Sequence, residues 1–243
     1  MSTEEKKHRS KEAIALFIIT GIILILLGII PIAAGTTILI FNRSRDSEGY
    51  HVSNTYQVNT STYAFAMAMS PMRIETFWGR LSQNLFGTEN TVQAEWVIRP
   101  VNSSKEVFAG WAPQAAGENY INNMEFELPT YWHWNGPYGP AIKITTMQVF
   151  GQGKGGPTES PALQTFWLDS AQSTGTFNLH FNPVWNSSPG NNYLIITNPD
   201  GSRGIAADIA LGFKIPVFNW LAYVLIPAGI VIFAGGILLV RKR

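Results

Sequence analysis

The sequence predicts an all-β extracytoplasmic domain of the β-sandwich or jelly-roll kind, flanked by two transmembrane α-helices that form an antiparallel, hairpin-like pair. Three observations predict it. Residues 13–41 and 215–240 contain no Asp, Glu, Lys or Arg. Lys and Arg cluster just beyond the outer ends of those stretches. Between them, short apolar and polar alternations are separated by Gly, Pro, Asn and Asp.

The first uncharged stretch exceeds the roughly 20 apolar residues that span a ~30 Å hydrocarbon core. A cleavable secretory signal is the rival reading, because Lys6, Lys7, Arg9 and Lys11 form a basic leader and Ile32-Ala33-Ala34-Gly35 offers small residues. Such a signal has an apolar run of about 7–15 residues, whereas this one continues to Phe41. A transmembrane helix therefore fits better. The second stretch also exceeds a bilayer span, with Trp220 and Tyr223 near one end as interfacial anchors. Pro31 and Pro227 fall inside the spans, where prolines are tolerated.

Small residues recur every seven positions in both helices: Gly21, Gly28 and Gly35 in the first, Ala222, Gly229 and Gly236 in the second. Seven residues are close to two turns, so each set shares a face, and small faces permit close backbone approach in lipid. The expectation is helix–helix packing through these six, with Gly28 near Gly229.

The basic residues set orientation, since Lys and Arg are retained on the cytoplasmic side. Four lie in the first tail and Arg241, Lys242 and Arg243 in the last, against Arg43, Arg45 and Lys214 at the inner ends. The organisation is then a cytoplasmic tail (1–12), a first helix (13–41), an extracytoplasmic domain (42–214), a second helix (215–240) and a cytoplasmic tail (241–243).

Residues 42–214 hold 10 Lys plus Arg and 13 Asp plus Glu, a net charge of −3. Without a basic patch, nucleic acid is excluded as an expected partner. The domain uses no cysteine, so its fold rests on burial, which is sufficient at this length.

Val92, Ala94, Trp96 and Ile98 alternate with Gln93, Glu95 and Val97, and Phe177, Leu179 and Phe181 alternate with Asn178 and His180. Both read as half-buried strands. Tyr193 to Ile196, the turn Asn198-Pro199-Asp200-Gly201, and Ile205 to Phe213 read as strand, turn and strand. Further strands are expected at 49–52, 62–67, 107–109, 142–150 and 166–168, and a short helix at 118–124. Only Lys214 to Pro216 separate the last strand from the second helix, so the domain is expected close to the membrane.

The segments Asp46-Ser47-Glu48-Gly49-Tyr50, Ser61-Thr62-Tyr63-Ala64, Glu106 to Pro113 followed by Tyr120-Ile121, Phe166-Trp167-Leu168, Gly175-Thr176 and the run from Tyr193 to Pro216 together cover much of this domain. In them the chain resembles a group of uncharacterised prokaryotic envelope proteins, actinobacterial and archaeal, built as helix, small β domain, helix. The resemblance implies the topology and no chemistry.

Gly151-Gln152-Gly153-Lys154-Gly155-Gly156 matches G-x-G-x-x-G, but that motif needs a following helix to meet a pyrophosphate. Here prolines follow, and 151–161 reads as a loop. A zinc site would need three or four ligands from His51, His133 and His180, which are dispersed, with no H-E-x-x-H pair. No G-x-S-x-G elbow is present. Glu125 and Glu127 share one face of a strand, as an exposed acidic pair ordinarily does. No catalytic, cofactor or metal site is therefore expected.

The most unusual segment is Tyr131-Trp132-His133-Trp134-Asn135-Gly136-Pro137-Tyr138, in a region that Gly and Pro mark as loop. Tyr131, Trp132, His133, Trp134 and Tyr138 serve loop packing, a membrane-interface or protein contact, or a stacking platform for a glycan. Asn42, Asn59, Asn102 and Asn186 begin Asn-x-Ser/Thr triplets, acceptors in a host that glycosylates exported chains. The expected function is non-enzymatic: a membrane-anchored envelope protein, an accessory subunit of a membrane assembly or a surface-layer component, with the bilayer and an envelope protein as partners. Extracellular ligand or glycan binding is the alternative, and a membrane-bound hydrolase the second.

Overall fold

A computed structural model describes residues 3–69, 92–134, 142–181 and 192–241, with side chains left out at 3–13, 132–134 and 142. Tyr138 and Asn186 lie outside the described residues, as do the side chains of Trp132, His133 and Trp134. The chain forms two units, residues 1–45 with 217–243 and residues 46–216.

The first unit is a pair of helices, α1 (Thr3–Arg43) and, at the other end of the chain, α3 (Phe218–Arg241). Within them, Ile14–Arg43 and Phe218–Arg241 are long and apolar enough to cross a membrane. Their large side chains, Phe17, Leu26, Ile30, Val231 and Leu238 among them, point outward. The buried positions are the small ones: Gly21, Gly28 and Gly35 in α1, and Ala222, Gly229 and Gly236 in α3. Soluble helices do the reverse, and an apolar exterior over a small-residue seam suits lipid.

A Cβ on Gly28 would lie 2.8 Å from the Gly229 carbonyl oxygen, and one on Gly21 2.8 Å from that of Gly236. At one end of the pair, Asn42 Nδ2 donates to the Phe218 carbonyl at 2.8 Å, Arg45 donates to Asn219 Oδ1, and Phe41 meets Phe218 edge to face at 5.9 Å.

The second unit contains β1 (His51–Val52), β2 (Tyr56–Thr60), β3 (Ala64–Met69), β4 (Gln93–Pro100), β5 (Val107–Pro113), α2 (Gln114–Ile121), β6 (Phe126–Trp134), β7 (Ile142–Phe150), β8 (Asp169–Ser173), β9 (Phe177–Phe181), β10 (Asn192–Thr197) and β11 (Ile205–Lys214). One sheet has the order β1-β11-β4-β9, with β2 also on β11; the other runs β7-β6-β3-β10-β5-β8. Every pairing is antiparallel except β3 with β6.

The sheets face each other across one core. Trp96, Ile98, Leu179, Ile209 and Leu211 come from the first sheet, and Phe65, Met67, Trp111, Leu194 and Ile196 from the second. The alternation of β4 follows: Ala94, Trp96 and Ile98 point into this core, leaving Glu95 on the outer face. The second sheet is covered on its far side as well, where Ile121, Met124, Tyr193 and Ile195 form a smaller cluster with Tyr120 and Trp167. That explains why β5 and β10 are apolar without alternating.

Three expectations change. Residues 166–168 form no strand: Trp167 lies against Phe108 and Tyr120, its Nε1 donates to the Pro161 carbonyl at 2.8 Å, and the neighbouring strand is Asp169–Ser173. The short helix begins earlier, at Gln114. Residues 131–134 belong to β6 rather than a loop, because they pair with β7 and consecutive aromatics favour extended backbone.

Gly110 of β5 provides the flat floor under Trp167, since a Cβ there would sit 2.4 Å from ring atom Cε3. Gly110→Ala should destabilise the domain by about 1–3 kcal/mol, read as a lower urea midpoint. An unchanged midpoint would show that the ring is not held against the strand.

Candidate functional site

The outer face of the first sheet carries a polar row. Glu95 on β4 stands directly opposite His180 on β9 and, on its other side, opposite Gly212 on β11. Residues paired this way project to the same face. Gly212 leaves room that Glu95 fills: a Cβ at 212 would meet Glu95 Cγ at 2.7 Å and Oε1 at 2.8 Å.

A tight turn at residues 46–50 closes over this row. Asp46 Oδ1 accepts from the Glu48 amide at 3.0 Å and the Tyr50 amide at 2.8 Å, and Asp46 N donates to the Tyr50 carbonyl at 2.9 Å. Gly49 takes φ +89°, where a side chain would be strained. Lys214 Nζ donates to the Glu48 carbonyl at 2.9 Å and lies 5.2 Å from the Tyr50 ring centre, and that ring is 6.0 Å from His180.

The result is a carboxylate–imidazole cluster of Glu48, Glu95 and His180 whose ligand atoms all lie within 4.8 Å of one another. His180 Nε2 is 3.5 Å from Glu95 Oε2 and 3.8 Å from Glu48 Oε2. Asn178 Nδ2 donates to Glu95 Oε2 at 3.1 Å, whereas Glu95 Oε1 is buried without a hydrogen-bond partner. The Glu95 side chain is 0% exposed; those of Glu48 and His180 are 56% and 55% exposed.

Burial pushes the Glu95 carboxyl up to about 7, the charges of Asp46 and Glu48 add to this, and the Asn178 hydrogen bond and Lys214 oppose it. The same causes raise the Tyr50 phenol: burial first, then Glu95, Glu48 and Asp46.

The three domain histidines do not converge. His51 pairs with Phe213, in the row that faces the core, His180 projects from the opposite face of that sheet, and His133 lies on β6 of the other sheet. From sequence no metal site is expected, since nothing local pairs a carboxylate with His180. Glu125 is engaged by Arg203, whose guanidinium lies 5.0 Å over Tyr63. Gly151 and Gly153 adopt positive φ in a turn, and the next helical turn is only Pro161–Leu163. Among the triplets, Asn59 and Asn102 are exposed, and Asn42 uses its amide on Phe218. Tyr131 is 59% exposed.

Fold and cluster define a class: a chain with two helices suited to a membrane and a two-sheet β domain that bears a carboxylate–imidazole cluster on one outer face. The chain matches no protein-family model and no curated relative.

Proposed function

We propose that this is a membrane-anchored envelope protein, both termini cytoplasmic and the β domain outside, whose domain binds another envelope protein rather than catalysing a reaction. The observation that carries the reading is the β6–β7 arm. β6 pairs with β3 only at Phe126 and Glu127, yet follows β7 as far as Trp134. Ile144 packs on the main core, while Met147, Val149 and Tyr131 are exposed. β7 is the sheet's edge among the described strands.

A two-stranded ribbon gains little stability alone, and an open edge is a template for an added strand. An extended segment of a partner, laid along β7, satisfies both. The basic tails support the orientation. A photo-reactive residue at Gln148 should give one dominant adduct with a membrane or envelope protein in the native host, and the same residue at Lys105 should not. The reading fails if the chain is recovered alone from both positions.

Glycan binding is the second reading, favoured by the exposed Tyr131. A hydrolase is disfavoured although Glu95 is strongly perturbed. A general acid must reach the proton it transfers, and the Glu95 side chain is fully buried.

A further inference from the structure

We propose that Glu48, Glu95 and His180 bind one divalent transition-metal cation of the zinc type. The inference is independent of the partner reading and concerns the opposite sheet.

The spacing of the three groups suits such an ion. A tetrahedral ion with bonds of about 2.0–2.1 Å separates its ligand atoms by roughly 3.4 Å. His180 Nε2 already stands 3.5 Å from Glu95 Oε2 and 3.8 Å from Glu48 Oε2. The three ligand atoms fall within 4.8 Å, and rotation of the exposed Glu48 side chain closes the remaining edge.

Glu95 is fully buried and accepts one hydrogen bond, from Asn178 to Oε2, the oxygen nearest His180, while Oε1, on the Gly212 side, accepts none. A buried carboxylate so sparsely satisfied is costly, and a cation at Oε2, shared with the two exposed ligands, neutralises its charge. Gly212 leaves the space that the carboxylate fills, and Glu48 and His180 remain exposed beside it.

Charge agrees. The charged groups acting on Glu95 are Asp46, Glu48 and Lys214; with Glu95 itself they leave two negative charges when His180 is neutral, the form in which imidazole ligates. One imidazole with two carboxylates suits zinc or a neighbouring first-row ion. Calcium and magnesium prefer all-oxygen shells of six or more ligands. The competing occupant is a proton held within the cluster, with no metal.

The test uses the full-length chain in detergent, purified through a tag without histidine, stripped with a chelator and dialysed. Zinc chloride is titrated calorimetrically, with calcium and magnesium chlorides as controls. The expected result is one saturable zinc site per chain and a zinc-dependent rise in Tm. Affinity should fall at least tenfold to a hundredfold in Glu95→Gln and His180→Ala, since even outer-shell partners cost that much, and stay unchanged in His51→Ala. Cobalt loading of the wild-type chain gives a readout that survives misfolding of a variant: visible d–d bands of a nitrogen–oxygen tetrahedral site are expected. Absence of saturable zinc binding in the wild-type chain, or equal binding in the wild-type chain and folded Glu95→Gln and His180→Ala, overturns the proposal and leaves the proton as occupant.

Discussion

Gly28→Leu is expected to force the two long apolar helices apart. A Cβ at position 28 would lie 2.6 Å from Phe233 N, 2.8 Å from the Gly229 carbonyl oxygen and 2.9 Å from Phe233 Cα. All three are backbone atoms, so no rotamer change makes room, and the helices must separate along the seam. Gly229→Leu meets the same obstacle from the other side, with Gly28 O at 2.7 Å and Ile32 N at 3.0 Å.

Each substitution should cost about 1–3 kcal/mol, the usual range for overpacking. The double variant should cost less than the sum, because the first leucine already opens the gap the second needs. The chain contains no cysteine, so cysteines placed at Ile32 and Ile226 report the seam without background. They should cross-link in the parent and lose most of that yield once Gly28→Leu is added. Equal yields in both would refute close packing.

The second large effect is a pH dependence. In the metal-free chain Glu95 titrates near 7 instead of the ordinary 4.5, with Asp46, Glu48, His180, Lys214, Tyr50 and Asn178 around it. Between those values the folded chain keeps a proton that the unfolded chain has lost. Stability from this group is therefore fully present below pH 4.5 and declines as pH rises towards 7, by on the order of 3 kcal/mol. Glu95→Gln removes the decline. Compared at several pH values with chelator present, the variant should match the wild-type chain near pH 4.5 and exceed it above pH 7. Parallel curves would show that Glu95 is not held in a charge-hostile place.

Much of this architecture was legible in the sequence because one-sided burial writes itself as alternation. β4, β9 and β11 each bury one face in the core, and Asn198-Pro199-Asp200-Gly201 makes its turn with Gly201 at φ +71°. Asp169–Ser173 was not legible, since a polar edge strand is extended only because β5 pairs with it. The aromatic residues 166–168 read as a strand because propensity cannot distinguish a ring that packs within a sheet from one laid upon it.

The cluster divides the same way. Glu95 and His180 each stand on the polar half of a recognised alternation, and Glu48 belongs to the short 46–50 segment. Only the register of β4 against β9, and the empty position at Gly212, bring the three together. Pairing between strands so distant in sequence leaves no local trace. A glutamate on the polar face of an otherwise apolar strand was the one available signal.

The helix seam is periodic. Its contacts repeat every seven residues on both helices, with Gly21 facing Gly236, Gly28 facing Gly229 and Gly35 facing Ala222. Shifting one helix by a single repeat, about 10.5 Å at 1.5 Å per residue, still sets small residue against small residue at two of the three crossings. The stripe thus behaves as a ratchet with evenly spaced notches, and intermediate positions drive bulky isoleucines into backbone. What selects this notch is the clasp at the end of the pair, where Asn42 grips the Phe218 carbonyl and Arg45 holds Asn219.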